Sequence, residues 1–84
     1  MKEDLDKRDD MSYLQTAGRA LSILKMFRQE NTLSLPAIAS GLGVGKTIAY
    51  RLVHTLMTEG FLVQDPLTKQ YSLGEQVLLL GFCA

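Results

Sequence analysis

The chain is poor in nearly everything that catalysis, metal binding or membrane insertion would use. It has one histidine, one cysteine, no tryptophan and two prolines. A single cysteine, Cys83, excludes an internal disulfide and suits a reducing cytoplasm. His54 and Cys83 stand far apart in sequence, so no metal-ligand spacing exists. No nucleophile, base and orienting group come together around the scattered serines and threonines. No apolar run reaches the roughly 18 residues of a membrane span. Met1 to Asp10 is charged and lacks an apolar stretch, so it does not read as a secretory signal. Neither an enzyme, a metal, a cofactor nor a membrane partner is expected.

Net charge is also missing: nine basic residues face nine acidic ones. A nucleic-acid partner would ordinarily demand a basic surplus, but its distribution matters more than its sum. Residues 1–10 hold three basic and five acidic groups, which leaves six basic against four acidic in the rest. That mild surplus predicts weak DNA binding by one copy and better binding by two.

What is present is helical patterning followed by a hairpin. Residues 1–12 read as a disordered charged arm. Ser12 and Gln15 fit a capping box. Leu14, Ala17, Leu21, Leu24 and Phe27 then recur at helical spacing, which predicts a helix over roughly 13–29 with Asn31 as its left-handed stop. Ser34 caps a short second helix over roughly 35–40, with Pro36 in its first turn and Gly41 at its end. Gly41, Gly43 and Gly45 mark a tight connection, and a third helix runs over 46–59 until Gly60. Phe61 to Gln64 and Gln70 to Leu73 read as paired strands about a type I turn from Asp65 to Thr68, with Thr32 to Ser34 as a further short strand. Ser72 and Glu75 form a second capping box that opens a last helix. The expected fold is mainly α with a small β wing: a winged helix-turn-helix over 13–73, with three helices and a β-hairpin, then the start of a linker or dimerisation helix over 74–84.

The third helix reads as a recognition helix. With Lys46 set at zero and about 100° per residue, Ile48, Leu52 and Leu56 fall at about 200°, 240° and 280°, a buried stripe. Lys46, Tyr50, His54, Thr47 and Arg51 fall between about 0° and 140° and share the opposite face. Such groups bond phosphate oxygens and base edges, and an arginine can fork onto guanine O6 and N7. Lys46 and Thr47 also sit at the helix start, where unpaired backbone N–H groups attract anions.

Several stretches, spread over residues 13–82, resemble the N-terminal domain of the IclR family of bacterial transcription regulators. Gly18-Arg19-Ala20-Leu21 with Leu24 is similar to the family's first helix, and Leu33 to Ala39 to its second. The run from Gly43 to Leu52 resembles its recognition segment, usually Gly-Leu-Pro-Lys-Ser-Thr-Val-His-Arg-Leu. Gly60-Phe61-Leu62 and Tyr71-Ser72-Leu73-Gly74 match its wing strands. The resemblance implies an operator-binding regulator, a repressor, that is a homodimer or a dimer of dimers. It also implies a small-molecule effector, sensed by a C-terminal domain outside this chain. Carried over, Lys46, Thr47, Tyr50 and Arg51 contact DNA, Arg19 touches phosphate or orients the third helix, and Lys69 reaches the backbone or minor groove from the wing. The segment departs at Gly45, at Thr47-Ile48 in place of Ser-Thr, and at Tyr50 in place of His, which leaves the preferred operator open.

Two other readings compete. Gly45-Lys46-Thr47 matches the end of a phosphate-binding loop, but position 40 is serine rather than glycine and a helix, not a strand, precedes it. A winged helix used only for protein contact fits the near-zero charge; its reading face would need an apolar anchor, and Tyr50 is the one expected there. An apolar surplus at Val77, Leu78, Leu79 and Leu80, with Ile23 and Phe27 of the first helix, points to self-association of two copies.

Overall fold

The computed structural model describes residues 11–84. Among them the chain forms α1 (Gln15–Met26), α2 (Leu35–Leu42), α3 (Lys46–Thr58), β1 (Leu62–Gln64), β2 (Tyr71–Leu73) and α4 (Glu75–Cys83). This is the winged helix-turn-helix order. The arm expected over 1–12 lies outside the described residues, apart from Met11 and Ser12, which form a turn.

The core is where four elements each bury a large side chain completely. Ile23 of α1, Ile38 of α2, Val53 of α3 and Leu62 of β1 are fully buried, with Ala49, Leu52, Leu56, Phe27 and Tyr71 around them. Burying a side chain of this size stabilises by about 1.5–3 kcal/mol, so the interior depends on all four elements being in place together.

Helix α1 buries only the C-terminal part of the stripe its spacing suggested, Leu24 and Phe27, and adds Ile23 to it. Ile23 and Phe27 face inward with Ala20, Leu24 and Met26 packed beside them, while Leu14, Ala17 and Leu21 stay exposed. Both arcs are apolar, and only the one that meets α2 and α3 is covered. Ile23 and Phe27 are therefore core residues of the single chain, and their expected place in a self-association surface is corrected. The helix also starts later than the Ser12 capping box implied. Its N-cap is Leu14, in an extended conformation without a side-chain cap. Tyr13 lies back over Gly18, where a Cβ would collide with its phenol. At the other end Phe27 and Arg28 donate to Leu24 and Lys25, a tightened last turn. Asn31 is not left-handed; among the described residues Lys69 is the one non-glycine with positive φ.

Ser34 caps α2 as its spacing implied, its Oγ accepting from the Ala37 N–H at 3.2 Å. Gly41 lies within this helix against the Met26 methyl, and Gly43 ends it. At φ 72° Gly43 closes a Schellman stop: its N–H donates to Ser40 and that of Val44 to Ala39. The turn into α3 is thus Gly43-Val44-Gly45. Gly60, at φ 87°, ends α3 in the same way, with its own N–H on Met57 and that of Phe61 on Leu56.

The wing pairs Leu62 with Leu73, Val63 with Ser72 and Gln64 with Tyr71, antiparallel. The expected third strand is a single bridge, in which Leu33 and Tyr71 exchange both backbone bonds at 3.0 and 2.8 Å. The turn is one residue wider than a type I turn over 65–68. Asp65 Oδ1 accepts from the Leu67 and Thr68 N–H groups, and the Asp65 carbonyl accepts from Lys69.

Helix α4 is tied on at its start by backbone bonds, and Val77 in its first turns is half-buried. Its N-cap is Gly74 rather than Ser72, which is part of β2. Gly74 donates to the Phe61 carbonyl at 2.8 Å, and Gln76 donates to the Gly60 carbonyl at 3.0 Å. A Cβ at Gly74 would stand 2.5 Å from that Gly60 oxygen, which is backbone and cannot yield. Gly74→Ala is expected to lower stability by about 1–3 kcal/mol through this overlap, read as a shifted midpoint in urea unfolding.

Candidate nucleic-acid interface

Four buried residues set the rotation of α3. Ala49, Leu52, Val53 and Leu56 face the core, and their mean direction is about 290° on the wheel that places Lys46 at zero. Ile48 is displaced from that direction by about 90°. It is 43% exposed and does not belong to the buried stripe assigned to it from its spacing. Ala49 and Val53, both fully buried, lie on the far side of the stripe from Ile48, so the centre of burial is turned away from it.

The outward face carries Thr47, Tyr50, Arg51 and His54, all exposed, with Lys46 exposed at the helix start. The five residues chosen from the sequence are thus brought together. Two of them interact directly: the Tyr50 and His54 rings stack with centroids 5.9 Å apart and planes inclined by 22°. Thr55 and Thr58 share this side, but their hydroxyls donate to the Arg51 and His54 carbonyls at 2.9 Å and are occupied within the helix. At the start of α3 the N-cap is Gly45, which supplies no side-chain cap. The Ala49 N–H is the first to reach an intrahelical partner, the Gly45 carbonyl at 3.0 Å. The N–H groups ahead of it are left for an external acceptor.

Arg19 arrives from α1. Half-buried, it lines with Thr16 one wall of a cleft of about 290 Å³ whose other wall is Ile48, Arg51, Leu52 and Thr55 of α3. Among the described residues neither arginine has an ion-pair partner. Lys69 stands away from this cluster at the wing tip, exposed and left-handed at φ 65°. Its carbonyl accepts from Gln64 Nε2 at 3.2 Å, and the Thr68 hydroxyl accepts from the Gln70 N–H, which holds the tip in this form. Behind the face, burial pushes the Tyr71 phenol above its ordinary range, with Tyr50 adding to the effect.

The second expected surface is reduced to α4. Val77 is half-buried, while Leu78, Leu79 and Leu80 are exposed, as is Phe82.

The profile of the IclR helix-turn-helix domain matches residues 16–66, more than half of the chain. The chain belongs to the IclR family. Among its relatives, the glycerol operon regulatory protein of Streptomyces coelicolor is 39% identical over 69 residues, which covers 81% of this chain and 27% of that protein. The HTH-type transcriptional regulator XynR of Escherichia coli is 32% identical over 72 residues, covering 84% and 29%. The solved structure of an IclR family transcriptional regulator from Brucella abortus superposes with a TM-score of 0.80 at 37% identity, over 88% of this chain and 28% of that one. Pseudomonas aeruginosa HmgR gives 0.74 at 31%, over 83% and 29%. The chain therefore spans less than a third of the length of these IclR-family relatives. The Streptomyces, Escherichia and Brucella relatives are named as regulatory proteins, and the domain shared with them is a DNA-binding helix-turn-helix.

Ile48 is the residue of this face that reading the sequence missed. Including Ala49 and Val53 in the stripe turns its centre from about 240° to about 270° and leaves Ile48 at its margin. Lys69 carries a left-handed backbone that costs a side chain about 1–2 kcal/mol. Lys69→Gly is expected to raise thermal stability by up to about 1 kcal/mol once glycine's own entropy is set against that strain, measured by calorimetry.

Proposed function

We propose that this domain binds operator DNA in a sequence-specific way, with α3 in the major groove, as part of a bacterial transcription regulator. The observation that carries this reading is the unpaired outward arc of α3. Lys46, Thr47, Tyr50, Arg51 and His54 share it, beside a helix start whose N–H groups lack intrahelical partners. Lys46 and Thr47 are assigned to phosphate, where cations and helix N-termini act without reading sequence. Arg51, one turn further, is assigned to guanine O6 and N7. Tyr50 and His54, stacked on each other, form a planar edge with a phenol and an imidazole for base or phosphate contact. Arg19 is assigned to a phosphate from the α1 wall of the cleft, and Lys69 to the backbone or minor groove beside the wing. The domain's role is proposed to be that of a repressor in the cytoplasm, the reading that the family resemblance suggested.

The weak charge of one copy supports a homodimer, or a dimer of dimers. Val77, Leu78, Leu79 and Leu80 of α4 offer an apolar surface that the single chain covers only at Val77. Exposed apolar surface of this kind marks contacts. Any small-molecule effector would act through a domain beyond the region described. Competing use of the fold as a protein-docking module would predict no selection of DNA sequence.

Arg51→Ala is expected to weaken binding to a selected duplex by about 1–3 kcal/mol and to relax selectivity at one base position per half-site. Fluorescence anisotropy against a panel of single-base variants reads both effects, and an unchanged specificity profile removes Arg51 from base readout. Leu79→Glu is expected to shift the dimer toward monomer in sedimentation velocity with helical content retained; an unchanged mass distribution places the interface elsewhere.

A further inference from the structure

We propose that Ile48 reads a base: it packs against the 5-methyl group of a thymine adjacent to the guanine held by Arg51. The inference rests on the DNA-binding reading above and adds a residue and a base to it. Ile48 is the third residue of α3, 43% exposed in the first turn of the helix. An exposed β-branched side chain is a poor choice there on either ground, since it lowers helix propensity and leaves apolar surface in water. Its own core does not use it, because the buried stripe points about 90° away.

The surroundings limit what could cover it. Ile48 lines the cleft with Thr16, Arg19, Arg51, Leu52 and Thr55. Two cations without ion-pair partners among the described residues flank it, and the first-turn N–H groups of α3 lie in the same stretch. Those features favour a partner that carries phosphate over an apolar protein knob. Within the major groove, the base edges offer donors, acceptors and one apolar group, the thymine methyl. An isoleucine cannot hydrogen-bond, so that methyl is the one edge it can recognise. Ile48 and Arg51 are three residues apart, which sets their Cβ atoms about 5–6 Å apart on one face. Successive bases are about 3.4 Å apart along a strand, so the two Cβ atoms span between one and two base steps, within which the long arginine side chain reaches the base next to the one under Ile48. Recognition would then combine a guanine fork with a methyl contact.

The test isolates the methyl group. Sites are selected from a random duplex pool with the unmodified chain at low salt, and each thymine of the selected site is replaced in turn by uracil, which lacks only the methyl. At one position per half-site the unmodified chain is expected to lose roughly three- to fivefold in affinity, the scale of one buried methyl group. Ile48→Ala is expected to bind thymine and uracil duplexes equally there, and Ile48→Val to keep part of the difference. Circular dichroism of both variants establishes that the fold is retained; because Ile48 is partly exposed, Ile48→Thr serves as a further folded variant lacking the full apolar surface. Selection of a site with no uracil sensitivity, or sensitivity that survives in Ile48→Ala, overturns the role of Ile48 and leaves DNA binding standing. Selection of no sequence at all overturns the DNA-binding reading itself, and the role of Ile48 with it.

Discussion

The rotation of α3 about its own axis is the constraint on which the rest of the molecule depends. Ala49, Leu52, Val53 and Leu56 hold that rotation by packing against Ile23, Ile38 and Leu62 from three other elements. A helix pinned on one side by four side chains has no freedom in what it shows on the other. The outward set of Lys46, Thr47, Ile48, Tyr50, Arg51 and His54 is thus a consequence of the core, and an altered packing at Ala49 or Val53 would turn every one of these groups. Interiors at this density transmit such strain instead of absorbing it.

The same helix is anchored at its far end by backbone. Gly60 ends α3 and its carbonyl accepts from Gln76 at the start of α4, while the Phe61 carbonyl accepts from Gly74. The end of the reading helix, the start of the wing and the start of α4 meet at one knot of main chain. Glycine is needed at Gly60 for its positive φ and at Gly74 for the close approach. In the proposed dimer this knot would set the position of α3 relative to the apolar surface of α4, so that two reading helices are held at a fixed separation. Half-site spacing on DNA is a geometric quantity of this kind.

Glycine and serine signals identified the elements well where the relevant chemistry is local. Ser34 caps α2 and Gly60 stops α3 as their positions suggested, and Asp65 organises the wing turn through its own side chain. The misreadings occur where two local signals compete and distant contacts choose between them. Gly41 and Gly43 both suit a helix stop; the helix runs to the second, which is left-handed and closes the Schellman bonds, while Gly41 lies within it against Met26 of α1. Ser12 and Ser72 both open plausible capping boxes, yet Tyr13 folded over Gly18 delays one helix and strand pairing of Ser72 delays the other. The apolar arcs of α1 were ambiguous for the same reason, which is how Ile23 and Phe27 came to be expected on a surface they do not reach.

Order and type of the elements, the two glycine-bounded turns and the polar character of the third helix follow from residue chemistry along the chain, because capping, φ > 0 and periodicity act over a few residues. Which apolar arc of α1 is covered, the outward turn of Ile48, the meeting of Arg19 with Arg51 across one cleft and the contact of Gly74 with Gly60 were decided by tertiary packing. Each of these joins residues distant in sequence, and only the mutual fit of four elements around Ile23, Ile38, Val53 and Leu62 selects among alternatives that local chemistry leaves equally good.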